Sequence, residues 1–272
     1  MAKDFRFGMS VRFFKSREKL LARASQAEDL GFDVLCVPDH IGATAPIPTL
    51  TAVAMATSRL QLSMYVLNAA FYKPALLSRD LEALEVLSDG RVEIGLGTGY
   101  ARDEFEAAEL PYPSAGARVD YLEHMTKYLK EHHPKSPILI AGNGDRVMTL
   151  AARYADIIGL TGAKVRDVED PFAERIEFVR NAAGDRFGGL ELNLAITAVP
   201  AEGETVPDLS MTRRYDPTRS DEELLAMPSV LGGSPREIAD TLLGFREQYG
   251  VTSFTVQDKH VGTFAKVIAE LR

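Results

Sequence analysis

Short apolar runs alternate with amphipathic segments along this chain. The runs at 60–67 and 92–96 are each short enough for a buried strand. The segment between them starts with Pro74, ends at Asp89-Gly90, and has an apolar face at helical spacing formed by Leu77, Leu81, Leu84 and Leu87. The pattern predicts a strand–helix–strand unit whose two strands are parallel and buried on both faces.

The same alternation continues in both directions. Strands are predicted at 5–11, 32–38, 60–67, 92–96, 136–141, 156–160, 190–199 and 251–257. Helices are predicted after Ser16, over 46–57, 74–88, 115–131, from Asp145, over 172–183, 234–249 and 261–271. Eight strands alternating with eight helices favour a single-domain (β/α)8 TIM barrel over residues 1–272, and a doubly wound open sheet is the alternative. The polar region 202–228 has no clear period and is expected to be a mobile lid.

Composition narrows the class of protein. The 272 residues are 46% hydrophobic and 26% charged, which is typical of a globular chain. The net charge of −8 argues against nucleic acid and anionic membrane surfaces as partners, and leaves a small-molecule substrate. Cys36 is the sole cysteine and lies in an apolar run, so we expect a buried core residue and no internal disulfide. No signal peptide or bilayer-length apolar run is apparent, and a cytoplasmic location is expected.

In a barrel, the residues that follow the strands form the active site. Here those residues are mainly glycines, hydroxyls and amides, with Asp39 and Asp258 as the acids. Glycosidases need two facing carboxylates, and metal hydrolases need several histidine or acidic ligands. Both classes are therefore disfavoured, and no metal site is expected.

Two glycine-rich turns follow predicted strands. Gly142-Asn143-Gly144 leads into a helix at Asp145, so its amides and the helix dipole suit a phosphate group. Gly97-Thr98-Gly99 leaves room for a flat or anionic ligand. Each turn on its own is also compatible with an ordinary tight turn, whereas two on one rim favour a flat, phosphorylated cofactor.

Asp39 and His40 come directly after the second strand. A histidine at this place can titrate near neutral pH and exchange a proton with a substrate. Asp39 points the other way in an extended chain, where it can bond a cofactor or fix a loop. The alternative interpretation is a structural Asp-His turn.

Three segments carry a family resemblance. They are GFDVLCVPDH, TSRLQLSMYVLNAAFYKPALLSRDLEALEVLSDGRVEIGLGTGYARDEF and SPILIAGNGDRVMTLAARYADIIGL, which occur in that order. Together they resemble the luciferase-like monooxygenase superfamily, and the chain is most similar to its F420-dependent branch. The resemblance implies a TIM barrel that uses reduced FMN or the deazaflavin coenzyme F420, and commonly a homodimer.

The resemblance also implies roles for individual residues. It places a bulge after the third strand, with a non-prolyl cis peptide at Tyr65–Val66 that backs the deazaflavin. Asp39 and Asn68 match cofactor contacts, and His40 matches an active-site acid or base. The cofactor wall, tail and phosphate contacts correspond to Gly97, Thr98, Gly99, Asp103, Gly142, Asn143, Gly144 and Thr161.

The chain departs from the pattern of its F420-dependent relatives at one residue that is expected to contact the substrate. The F420-dependent sugar-phosphate dehydrogenases carry an acidic residue after the GTG turn, where this chain has Tyr100, so the same sugar-oxidising mechanism is not expected. Tyr100 is instead predicted to bond the substrate or form a pocket wall. A substrate-phosphate lysine of that branch aligns loosely with Lys164, for which a solvated surface lysine is the favoured interpretation.

Three functions are compatible with the sequence. The leading hypothesis is an F420-dependent oxidoreductase that transfers a hydride between the coenzyme and a small organic substrate. The second is an FMNH2-dependent monooxygenase. The third is a barrel that has lost catalysis and serves as a cofactor-binding or scaffold protein.

Overall fold

Parallel strands form a closed ring in a computed structural model that describes residues 4–163 and 168–272. The strands are β1 Arg6–Ser10, β2 Val34–Val37, β3 Gln61–Met64, β4 Leu67–Asn68, β5 Val92–Gly97, β6 Ile138–Ala141, β7 Ile157–Leu160, β8 Glu191–Ala195 and β9 Ser253–Gln257. They pair in the order β3-β2-β1-β9-β8-β7-β6-β5-β4, and a pairing of β3 with β5 closes the ring. Since β3 and β4 are two pieces of one predicted strand, the predicted (β/α)8 barrel is confirmed.

Helices cover the outside of the ring. In the described ranges they are α1 Arg17–Asp29, α2 Pro46–Ala54, α3 Pro74–Leu87, α4 Arg102–Ala107, α5 Ala115–His132, α6 Asp145–Tyr154, α7 Pro171–Ala183, α8 Ser210–Tyr215, α9 Asp221–Leu225, α10 Pro235–Tyr249 and α11 Val261–Leu271. Ser16 and Ser234 cap α1 and α10 as predicted, and Ser234 forms a capping box with Glu237. None of the helices in the described ranges has both the length and the apolar character needed to cross a bilayer.

The structure differs from the predicted elements most clearly in three places, and the mobile lid expected at 202–228 stays a prediction. The run 60–67 is not one strand, because it breaks at Tyr65 and Val66 between β3 and β4. The seventh predicted strand, 190–199, is regular only over Glu191–Ala195. The region 202–228 contains α8 and α9, which are too short to give a helical period in the sequence.

The outer face of the barrel is apolar and its interior is polar. Phe7 on β1 is fully buried and packs edge-on against Phe264 of α11, with ring centroids 5.8 Å apart. Inside the ring, Arg6 Nη2 lies 2.5 Å from Glu93 Oε2, and Arg6 Nη1 lies 3.0 Å from Glu191 Oε1. Buried charges need partners of this kind, so the base of the barrel is held by one arginine and two carboxylates.

Small residues let β5 approach the broken strand. A Cβ on Gly95 would lie 1.8 Å from the carbonyl oxygen of Met64 and 3.1 Å from Val66 Cγ1. A Cβ on Gly97 would lie 2.9 Å from Val66 Cγ2. Glycine at these two positions therefore allows Val66 to lie over β5, at the carboxyl end of the barrel.

Candidate active site

Asp39 joins the end of β2 to the segment that follows the break in strand three. Its Oδ2 accepts the Asn68 backbone N–H at 3.1 Å, and the Tyr72 hydroxyl also donates to it. Burial raises the pKa of the Asp39 carboxyl, and the bond from Asn68 acts in the opposite direction. Asp39 thus holds two strand ends in register, as its sequence position beside a loop suggested.

His40 and Glu104 form the clearest chemical pair of the rim. His40 Nδ1 lies 2.7 Å from Glu104 Oε1, and both side chains are partly buried. An ionised carboxylate can only accept a hydrogen bond, so the Nδ1 atom carries the proton in this pair. No other described residue bonds the opposite nitrogen, Nε2, which is left to exchange a proton with a ligand.

Tyr100 stands beside this pair. Its ring meets the His40 ring edge-on at a centroid distance of 6.4 Å, and its side chain is 67% exposed. Partial burial, with Tyr215 of α8 as the next largest influence, raises the pKa of the Tyr100 phenol. The phenol is therefore protonated at neutral pH and is a hydrogen-bond donor at the entrance to the site.

The peptide bond between Tyr65 and Val66 is cis, at the position that the family resemblance implies. The two side chains have different surroundings. The Tyr65 hydroxyl donates to Asn193 Oδ1 at 2.5 Å across the barrel interior, while Val66 lies on Gly95 and Gly97. Val66 therefore presents the apolar surface at the floor of the barrel mouth.

Asn68 and Gly99 are in direct contact. A Cβ on Gly99 would come within 2.3 Å of Asn68 Oδ1, and the φ angle of Gly99 is +67°, where glycine is favoured. Asn68 Oδ1 also accepts the Ala70 N–H at 3.1 Å. The Asn68 amide is thus held between β5 and the turn after β4.

The Gly142–Gly144 turn opens α6. No side chain caps this helix, and a Cβ on Gly144 would meet no atom within 4 Å. Asn143 Oδ1 accepts the Thr161 hydroxyl at 2.7 Å, which links this turn to the end of β7. Gly144 therefore leaves open space at the start of α6, as a phosphate site requires.

The buried guanidinium of Arg175 contacts the Gly142–Gly144 turn and the residue after it. Arg175 Nη1 lies 2.6 Å from Asp145 Oδ1 and 3.4 Å from the carbonyl oxygen of Asn143. The charge of Asp145 at the first position of α6 is thus paired with a cation. This pairing reduces the repulsion that Asp145 would otherwise exert on a bound anion.

The structure gives no contact in the site for the remaining predicted residues that it describes. Thr98 lies between the two glycines of its turn and is partly buried. Asp103 is exposed on α4, and Glu104 rather than Asp103 contacts His40. Cofactor contacts by Thr98 and Asp103 stay predictions, and Lys164 lies outside the described residues.

Sequence reasoning missed two residues. Glu104 lies in the charged run Arg102-Asp103-Glu104, which in a sequence is typical of a solvated helix start, and the available signal was its place one helical turn beyond Gly99-Tyr100. Asn193 lies inside the barrel, where it accepts from Tyr65 and donates to Ser253 Oγ and Thr255 Oγ1 at 2.9 and 3.0 Å. Its signal was the polar alternation of Glu191 and Asn193 in a strand.

The two histidines at strand ends differ in burial, because His40 is only partly buried. His260, at the end of β9, is buried, and burial lowers its pKa to about 4. Its Nε2 atom has no hydrogen-bond partner within the described ranges. His260 is therefore neutral at pH 7, and His40 is the better candidate for proton exchange.

Two surface cavities lie elsewhere on the molecule. They measure about 300 and 360 Å³, the first between α5 and α6 and the second between α7 and α10. None of the residues predicted for the site lines either cavity. We place the site at the strand ends instead, because the carboxyl ends of barrel strands are where side chains of several strands converge.

The chain is similar to known proteins over most of its length. A family model described as luciferase-like monooxygenase matches residues 6–208. An F420-dependent glucose-6-phosphate dehydrogenase of Kineococcus radiotolerans is 25% identical over 84% of this chain and 83% of its own length. The corresponding enzyme of Amycolatopsis mediterranei is 32% identical over 41% of this chain, and the match spans 36% of that relative.

Solved structures show the same fold. The coenzyme F420-dependent tetrahydromethanopterin reductase of Methanopyrus kandleri superposes with a TM-score of 0.76 and 16% identity, covering 99% of this chain and all of the other. At 16% identity, this similarity is evidence for a shared fold only. The match of the family model, which covers most of the chain, shows that this protein belongs to the luciferase-like monooxygenase family.

Proposed function

We propose that the protein is an F420-dependent oxidoreductase that transfers a hydride between coenzyme F420 and a small organic substrate. The observation that carries the proposal is the His40–Glu104 pair at the barrel mouth, on the same rim as the uncapped glycine turn of α6. The relatives named as F420-dependent dehydrogenases support this choice of cofactor. The family model's own description favours a monooxygenase reaction. With the reduced FMN that the family resemblance implies, this is the second candidate.

The residues present fit a flat cofactor with a phosphate. The backbone amides of Gly144 and the first turn of α6 would hold the phosphate, with Asn143 and Thr161 beside them. Val66 would support the ring from below, and Asn68 and Asp39 would border it. When bound, the deazaflavin supplies the redox chemistry, which no side chain of this barrel provides.

The chain itself supplies the proton. His40 Nε2 gives a proton to the substrate oxygen, or takes one from it, while Nδ1 stays bonded to Glu104. Glu104 orients the ring through this bond. Tyr100 donates a hydrogen bond to the substrate from the adjacent rim position.

The Gly144→Asp variant tests the phosphate site. The Gly144 backbone has the extended conformation typical of an N-cap, and the open space at its Cβ accommodates the new side chain. Its carboxylate is expected to accept the first-turn amides of α6, which stabilises the protein by roughly a few tenths of a kcal/mol. The same carboxylate repels the cofactor phosphate, so we expect the Kd for F420 in a fluorescence titration to rise at least about tenfold.

Gly144→Ala is the matched control, because it adds a Cβ without a carboxylate. It is expected to bind F420 with nearly the affinity of the wild type. Equal F420 affinity in the wild type and in Gly144→Asp would show that the phosphate does not bind at this turn.

We also propose that the protein acts in the cytoplasm as a homodimer. The outer face of α3 exposes Leu76, Val86 and Leu87, which a second copy of the chain would cover. Interfaces between identical subunits are richer in apolar surface than the rest of the exterior, so this stripe suits that role.

A further inference from the structure

Four large apolar side chains are exposed on loops and a short helix around His40. Phe13 follows β1, Ile41 follows His40 itself, Tyr100 follows β5, and Tyr215 ends α8. Their exposed fractions are 59%, 50%, 67% and 57%. Single exposed apolar residues are common on protein surfaces, but a contiguous group at a candidate site indicates a ligand.

Arg12 and His40 place these side chains on one part of the rim. The Tyr100 ring meets the His40 ring, and both Tyr215 and Arg12 lie close enough to Tyr100 to influence its phenol. The Arg12 guanidinium lies 5.4 Å from the centroid of the Phe13 ring. Thr44, which follows β2, donates its hydroxyl to the Arg12 carbonyl oxygen at 3.2 Å and so ties the two loops together.

We propose that the substrate carries an apolar body, such as an alkyl chain, on the carbon that reacts beside His40. This inference rests on the proposed oxidoreductase function and specifies its substrate class. The patch offers aromatic and aliphatic surface directly beside the proton-carrying histidine, and such surface binds a substrate by excluding water from both partners. A highly hydroxylated sugar phosphate would bury little of this apolar surface. Any hydroxyl pressed against the surface would lose its hydrogen bonds to water.

The experiment measures equilibrium binding rather than turnover. The protein is loaded with oxidised F420, and acetone, 2-hexanone, 2-decanone and glucose 6-phosphate are titrated separately by calorimetry. Ketones do not react with the oxidised cofactor, so their heat reports binding alone, and a constant F420 absorbance shows that glucose 6-phosphate is bound without being oxidised. We expect the affinity to rise about threefold to fourfold for each methylene that the patch buries, and 2-decanone to bind more tightly than glucose 6-phosphate.

Two variants test whether the patch causes the rise in ketone affinity with chain length. Phe13→Ser and Tyr215→Ser are each expected to weaken 2-decanone binding about tenfold and to leave acetone and F420 binding nearly unchanged. Met55→Ser is the matched control, since Met55 is 70% exposed beyond the last residue of α2, at the opposite end of the barrel. All three sites are exposed, so the variants should fold like the wild type.

The outcomes separate this inference from the proposed function. If F420 binds but ketone affinity does not depend on chain length, or glucose 6-phosphate binds more tightly than 2-decanone, the substrate class is wrong. If Phe13→Ser and Tyr215→Ser behave like Met55→Ser, the patch does not bind the substrate. Failure of F420 to bind at all would instead overturn the proposed function.

Discussion

The Gly95→Ala variant is expected to lose much of its folding stability. The added Cβ would lie 1.8 Å from the Met64 carbonyl oxygen and 3.0 Å from the Met64 carbonyl carbon. Both atoms belong to the backbone, so no side chain can rotate away to relieve the contact. Overpacking usually costs 1–3 kcal/mol, and we expect a loss of about 3 kcal/mol or more here, against a typical total of about 5–15 kcal/mol.

Urea unfolding followed by circular dichroism measures this loss. Gly244→Ala is the matched control, because Gly244 lies within α10 and an added Cβ would meet nothing within 4 Å. That control is expected to be stabilised by about 0.5–1 kcal/mol, since alanine is the better helix former. If both variants unfolded at the wild-type urea concentration, the close approach of β5 to β3 would be wrong.

The second large effect is expected at His40. Removing the proton-carrying ring in His40→Ala should lower kcat about 10²- to 10⁴-fold in the reduction of 2-decanone by reduced F420. Glu104→Ala should lower kcat by a smaller factor, because the ring remains but is no longer held by the 2.7 Å contact at Nδ1. Binding of F420 should be retained in both variants, so that the loss appears in kcat.

Glu106→Ala is the control for the carboxylate. Glu106 is also on α4, but it is exposed, and the nearest cation is Arg102 at 3.9 Å. Its kcat is expected to match that of the wild type. An equal loss in Glu104→Ala and Glu106→Ala would point to a general effect on α4, and full activity in His40→Ala would remove His40 from the mechanism.

Most of the fold followed from local patterns. The runs of β2, β6 and β7 are short, apolar and buried on both faces, and the helix between β4 and β5 has four leucines at helical spacing. Such signals depend on neighbouring residues only, so one sequence is sufficient to predict them. The barrel then follows because alternating strands and helices have few compact solutions.

Features that depend on distant residues did not follow from local patterns. The break in strand three was predicted through the family resemblance only, because it lies inside an apolar run and its packing partner Gly95 is about thirty residues away in sequence. Glu104 contacts His40 across 64 residues, while Asp103 and Glu106 on the same helix are exposed. Likewise, nothing local to Tyr65 indicates that its hydroxyl crosses the barrel to Asn193. The candidate site was therefore predicted as a set of strand ends, and its pairings came from the structure.

Titration of the purified protein with F420, and separately with FMN, tests the central claim most directly. The chain contains no tryptophan, so the fluorescence of each cofactor reports binding without interference from indole emission. We predict saturable binding of F420 with a Kd of about 10⁻⁶ M or lower, and FMN affinity at least about tenfold weaker. Micromolar binding of FMN with no binding of F420 would contradict the proposed function.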